Sequence, residues 1–239
     1  MRVDTRDLVD QIGEQPGKTG LLFDVDGTLA PIVDRPEDAS VPEQTRALLR
    51  ELAARYSLVA CVSGRPEDDA RRIVGVDGLV YVGEHGLGLD PHAGEWRAQL
   101  EKVAAGVGRP AEWKRFSVAF HYRTEKDEAA ALADLRGIEE RALELGLRAR
   151  WGRKVLEILP PVDVDKGTAV RALLAERGLR RGLYAGDDAT DLDAFRGLDG
   201  LELAVRVAVV SEEGPGELAS AADVVVTGTE ELVELLRRL

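Results

Sequence analysis

The sequence predicts an α/β fold, a doubly wound parallel sheet with a smaller α+β unit inserted into it, on three observations. Apolar strand-like runs alternate with amphipathic helical stretches in both the first and last thirds of the 239 residues. The runs are apolar on both faces, as strands are when helices cover a sheet on both sides. Between the two thirds the rhythm changes to a period-two strand, one long helix and two closely spaced strands.

Taken in order, "TGLLFDVD" reads as a buried strand, "VPEQTRALLRELAARY" as an amphipathic helix, "SLVACVSG" as a strand and "RPEDDARRIVG" as a helix. The middle holds "WKRFSVAFHYR" as one alternating strand, "KDEAAALADLRGIEERALELG" as a helix, then "LRARWG" and "KVLEILP" as strands. Alternation resumes with the helix "DKGTAVRALLAERG", the strand "RGLYAGDD" and the helix "ATDLDAFRGL". "LELAVRVAVV", "ADVVVTG" and the helix "TEELVELLRRL" close the chain. Residues 1–87 and 159–239 are therefore expected to form the sheet core and residues 88–158 an inserted lid. The joints are expected near the Gly86–Gly88 and Pro160-Pro161 breakers.

Composition narrows the function classes. Hydrophobic residues at 44% and charged ones at 32% describe an ordinary globular chain. No run reaches membrane-spanning length, and the acidic start "MRVDTRDLVDQIGEQ" lacks a signal peptide's apolar centre. One cysteine, Cys61, permits no intrachain disulfide and suits a reducing cytoplasm. The net charge of −12 opposes nucleic acid or an anionic membrane as partner. A monomer acting on a small anion in a local positive pocket is the expectation.

The chemistry-bearing motifs fall where such a sheet binds ligands, beyond the carboxyl ends of its strands. Asp24 and Asp26 follow the first strand, and Ser63-Gly64-Arg65 follow the next. Lys166-Gly167 open a helix after the lid, and Gly186-Asp187-Asp188 with Asp191 end a later strand. Clustered acids call for a hard divalent cation, and Mg2+ takes carboxylate and phosphate oxygens. Ser63, Lys166 and helix amino termini offer donors to a phosphate. With one residue between them, Asp24 and Asp26 can divide the work. Asp24 would attack phosphorus and form an aspartyl-phosphate. Asp26 would protonate the leaving oxygen and then deprotonate water. Gly27 lets the backbone approach the phosphate, and Thr28 adds a hydroxyl. "GEQPGKTG" is rejected as a nucleotide loop, because Ile12 stands where its first glycine belongs and the segment leads into a strand.

"DVDGTLA", "SGR", "DKG" and "GDDATD" resemble the four ordered motifs of the haloacid dehalogenase superfamily. With "EWKRFSVAFHYR" and "RKVLEILP" the resemblance narrows to the trehalose-6-phosphate phosphatase family and spans nearly the whole chain. It implies Asp24 as nucleophile, Asp26 as acid/base and a metal ligand through its carbonyl, and Ser63 and Lys166 as phosphate binders. Asp187 would be the second metal carboxylate, with Asp188 or Asp191 completing or orienting the shell. Glu112, Lys114, Arg153 and Glu157 of the lid, with Arg65 below and His85 as a substrate contact, would read the sugar. Leu192 departs from the family, which often carries an acid there. The implied activity is Mg2+-dependent hydrolysis of trehalose 6-phosphate. Another sugar-phosphate phosphatase, a phosphohexomutase and a non-catalytic regulatory domain are the alternatives.

Overall fold

A computed structural model describes residues 5–33, 35–105, 107–123, 125, 127–152, 154–211 and 214–239, and the side chains of these from Asp7 onward. It divides into two compact units, Met1–Gly86 with Val164–Leu239, and Leu87–Asp163. The return joint thus lies past the Pro160-Pro161 pair.

The first unit runs α1 (Thr5–Gly13), β1 (Thr19–Phe23), α2 (Glu43–Arg55), β2 (Leu58–Val62), α3 (Glu67–Val74) and β3 (Val80–Val82). The second unit then supplies α4 (Arg97–Ala104), β4 (Glu112–Trp113), β5 (Val118–His121), α5 (Glu128–Glu144), β6 (Arg148–Gly152) and β7 (Val155–Leu159). The first resumes with α6 (Lys166–Glu176), β8 (Arg181–Gly186), α7 (Asp191–Gly197), β9 (Leu203–Val210), α8 (Gly216–Ala221), β10 (Val224–Thr227) and α9 (Gly228–Leu236).

In the first unit the strand order is β10-β9-β8-β1-β2-β3, every neighbouring pair parallel. Strand direction sends alternate side chains to opposite faces, and both faces are apolar. Leu21, Phe23, Val59 and Leu183 meet α1, α2, α3 and α9 on one side. Leu22, Ala60, Val62 and Tyr184 meet α6 and α7 on the other. Winding starts at β1, moves out to β3, and later restarts at β8 on β1's other side. That reversal leaves a crevice at the carboxyl ends of β1, β2 and β8. Gly86, the last residue before the insertion, packs beside the segment where the chain returns. A Cβ on it would lie 3.2 Å from Val164 Cγ1 and 3.3 Å from the Asp165 carbonyl oxygen.

The second unit is an antiparallel sheet in the order β4-β5-β7-β6. Val118, Phe120, Leu156 and Ile158 bury one face with Leu100 of α4 and Leu135 and Ile138 of α5. The expected single strand over "WKRFSVAFHYR" is broken in two. Lys114 N donates to Ser117 O at 3.0 Å, closing a tight turn that folds β4 back on β5. Alternation survives such a hairpin, which is why it hid the turn. Helices α1, α4 and α8 and strand β3 lie outside the elements expected from sequence. Among the described residues no helix is long and apolar enough to cross a membrane.

Candidate active site

The first carboxylate is fixed by β1. Asp24 N donates to Ala185 O at 2.9 Å, so the residue still belongs to the sheet while its side chain leaves the strand end. A tight turn follows, with Gly27 N on Ala30 O at 2.8 Å and the amides of Leu29 and Ala30 on Val25 O. Gly27 has φ +78°, and a Cβ there would fall 2.1 Å from Asp187 Oδ2. Only glycine lets this turn and the loop after β8 come together. Thr28 Oγ1, fully buried, lies 3.4 Å from Asp187 Oδ1.

Lys166, the first residue of α6, is placed by a cap. Asp165 accepts from Thr168 N at 2.7 Å, an interaction typically worth ~1 kcal/mol. The Lys166 ammonium, 2% exposed, sits 2.9 Å from Asp24 Oδ1 and 2.7 Å from Asp191 Oδ1. Asp191 takes four donors. Lys166 and the Tyr184 hydroxyl reach Oδ1, and the amides of Asp187 and Asp188, both at 2.9 Å, reach Oδ2. A Cβ on Gly186 would fall 2.2 Å from Asp191 Cγ, so glycine is required at the strand end. Asp188 is exposed, and its carboxylate accepts from Ala189 N.

One carboxylate oxygen each from Asp24, Asp187 and Asp191 lies within 4.8 Å of the others. Burial, with help from Asp191 and Asp26 and against Lys166, pushes Asp24 up to about 7. Burial followed by the charges of Asp24 and Asp191 pushes Asp187 up to about 9. Although burial pulls Lys166 down, Asp191 and Asp24 hold its ammonium above the usual lysine range. One ammonium therefore leaves the acids under-neutralised, and an all-oxygen cluster of this kind fits a hard divalent cation.

The carboxylate of Asp26 points elsewhere. Arg65 Nε and Nη2 grip its two oxygens at 2.6 and 2.7 Å, and Arg65 Nη1 reaches Pro36 O at 3.0 Å. Ser63, buried at the end of β2, accepts from Arg65 N through Oγ at 3.2 Å. Its loop is pinned to the turn after β3, where Glu84 N donates to Arg65 O and His85 N to Ser63 O. Glu84 and His85 both adopt left-handed φ, 47° and 56°, which costs roughly 1–2 kcal/mol per residue. The imidazole of His85 lies on Gly64, where a Cβ would come within 2.5 Å of Nε2.

In the second unit a polar row crosses the sheet face opposite the apolar one. Glu112 pairs in register with Ala119, Ala119 with Glu157, and Glu157 with Arg150. Glu157 is buried and receives Lys114 Nζ at 2.8 Å, Ser117 Oγ at 2.8 Å and Arg150 Nη2 at 2.5 Å. Glu112 meets His121 Nε2 at 2.5 Å, and this hydrogen bond holds its carboxyl below the usual range. Arg153 lies outside the described residues. Tyr184 and Arg150 belong to none of the motifs, and Ser117 lies inside "EWKRFSVAFHYR" with no role expected of it. Tyr184 alone carries a signal in the sequence, a polar tip on a buried strand position that packing alone would fill with an apolar residue.

A parallel sheet with its acids at the switch point, a lysine on a helix start and an inserted α+β unit defines the haloacid dehalogenase-like class. A haloacid dehalogenase-like hydrolase from Bacteroides thetaiotaomicron shares the fold, with a TM-score of 0.66 and 15% identity over 93% of this chain and 99% of that one. The chain belongs to the trehalose-phosphatase family, which it matches over residues 22–105 and 100–230. It is 33% identical to a trehalose-phosphate phosphatase of Mycobacterium marinum, over 98% of this chain and 65% of the relative. A solved trehalose-6-phosphate phosphatase related protein superposes with a TM-score of 0.71 and 27% identity, over 91% of this chain and 96% of that one. The chain spans 17% of the length of an uncharacterized glycosyl hydrolase of Mycobacterium tuberculosis, to which it is 36% identical over 86% of its own length.

Proposed function

We propose that the chain is a Mg2+-dependent phosphatase that hydrolyses trehalose 6-phosphate to trehalose and phosphate, acting in the cytoplasm. The observation that carries this reading is the buried Asp24–Lys166–Asp191 chain with Asp187 beside it, in a member of the trehalose-phosphatase family.

Asp24, Asp187 and the main chain of Asp26 would hold the cation. When bound, it supplies neutralisation of charge on the acids and on the phosphoryl oxygens. Lys166 and the Ser63 hydroxyl bind phosphoryl oxygens, and Lys166 keeps Asp24 in place at 2.9 Å. An oxygen of Asp24 attacks phosphorus as the bond from phosphorus to the sugar oxygen breaks. Asp26 gives its proton to the departing oxygen. Water then attacks the aspartyl-phosphate, Asp26 takes its proton, and phosphate leaves with Asp24 regenerated. Asp26 must leave its two-point grip on Arg65 for this work, and an incoming phosphate dianion competes for the same guanidinium. Arg65 is thereby assigned both to the substrate and to releasing the acid/base.

Glu112, Lys114 and Glu157 are assigned to sugar hydroxyls. Carboxylates accept from hydroxyls and ammonium groups donate to their oxygens, a mixture suited to a neutral polyol. The test is phosphate release from a panel of sugar phosphates with and without Mg2+. Preference for trehalose 6-phosphate that depends on Mg2+ is expected. Equal turnover across the panel removes the substrate assignment, and full turnover in metal-free buffer removes the cation.

A further inference from the structure

The Tyr184 side chain is fully buried in the apolar cluster beneath α6 and α7. Its ring meets Phe195 edge-on at 6.2 Å and 81°. A phenylalanine would serve that packing equally well, so the hydroxyl needs its own reason, because burying it without a partner is costly. The hydroxyl donates to Asp191 Oδ1 at 2.8 Å, the oxygen that also receives Lys166 at 2.7 Å. Burial keeps the phenol protonated far above its ordinary range, so it remains a donor.

Lys166 stands between two carboxylates, and its position depends on how much of Asp191's charge other donors meet. The amides of Asp187 and Asp188 serve Oδ2. On Oδ1, Tyr184 is the partner that shares the load with Lys166. We infer that Tyr184 is a positioning residue for Lys166, acting through Asp191 to keep the ammonium turned toward Asp24 and the phosphoryl group. This rests on the phosphatase reading above. Without the hydroxyl, Asp191 Oδ1 draws the ammonium toward itself and away from the phosphoryl oxygens.

The test uses the full chain with Tyr184→Phe, and orthovanadate as the phosphoryl probe at saturating Mg2+, read by calorimetry. Vanadate binding should weaken about 10-fold, equivalent to ~1.4 kcal/mol. Mg2+ binding, measured alone, should change less than about 3-fold, because the amide pair on Oδ2 is untouched. Phe195→Leu disturbs the same packing and leaves the hydroxyl, so vanadate affinity should persist in it. Unchanged vanadate affinity in Tyr184→Phe overturns the inference. So does an equal loss in Phe195→Leu, or a loss of Mg2+ affinity as large as that for vanadate. If Tyr184→Phe does not fold, 3-fluorotyrosine incorporation keeps the hydroxyl and changes its donor strength. Vanadate affinity should then shift by at least about 2-fold, and no shift overturns the inference. Absence of vanadate binding in the unaltered chain is a separate result, which overturns the phosphatase reading and this inference with it.

Discussion

At the carboxyl ends of the parallel strands, Asp24 and Asp191 share Lys166 with Asp187 beside them, whereas on the antiparallel sheet Glu157 is met by Lys114, Arg150 and Ser117 together. Both sites bury carboxylates, yet the first leaves negative charge over and the second does not. An uncompensated cluster is set to take up a cation and then an anion that shares it. A compensated one offers hydrogen bonds in both senses with little net field, which suits a ligand without charge. On the proposed reading, the two sheets separate the binding of a charged group from the binding of hydroxyls.

The comparison breaks most visibly at Asp24. Asp24→Asn should reduce phosphate release to background on every ester, since the proposed nucleophile is gone, and EDTA should do the same to the unaltered chain. Both are checked by a phosphate-release assay. Retained turnover in either case would mean that the acid cluster is structural.

Asp26→Asn should slow attack on a sugar phosphate by ~10²–10⁴-fold. With an aryl phosphate, whose leaving group needs little protonation, formation of the phosphoenzyme should be nearly spared in a rapid-quench measurement. An equal loss on both esters would transfer Asp26 from proton transfer to structure.

On the second sheet the effects should be smaller and selective. Lys114→Ala and Glu157→Ala should each lower kcat/KM for trehalose 6-phosphate at least ~10-fold, about 1.4 kcal/mol. Hydrolysis of a small aryl phosphate should hold nearly constant. Parallel losses on the two substrates, in variants that still melt cooperatively, would erase the division of labour between the sheets.

The mildest effect concerns stability. Asp24 and Asp187 rise to about 7 and about 9 from an ordinary 3.8. Between about pH 4 and pH 9 the folded chain therefore holds protons that the unfolded chain has released, and its stability falls as pH rises through that window. A cation replaces those protons. At pH 8, Mg2+ at 100-fold excess over its Kd should raise Tm by roughly 5–10 °C, and at pH 5 by less. A scanning calorimetry trace showing the larger gain at pH 5 would contradict the surplus of negative charge.

Much of this was legible because local rules carry it. Apolar runs of strand length and the Gly27 turn directly after the first strand act within a few residues of chain. The pairings that tune the site are not local. Arg65 meets Asp26 across 39 residues, Lys114 meets Glu157 across 43, and Lys166 meets Asp191 across 25. No periodicity announces which arginine turns to which acid. Asp191 shows the limit well. Its place in "GDDATD" marks it as an acid near the site, but only the fold reveals that four donors already occupy both its oxygens. The strand expected over "WKRFSVAFHYR" failed for a related reason, since a hairpin keeps the alternation of side chains while reversing the chain.

The proximity of Gly86 to Val164 and Asp165 has an evolutionary consequence. The parallel-sheet unit encounters the intervening chain as a cassette whose ends already touch, so its own closure does not depend on what the cassette contains. Closure entropy changes by only ~0.6 kcal/mol for each doubling of a flexible loop. Replacement modules of different lengths can therefore be spliced between these residues with little penalty to the host. Under the proposed division of roles, substrate preference can diversify by exchange of one contiguous stretch of gene while the hydrolytic apparatus is inherited intact.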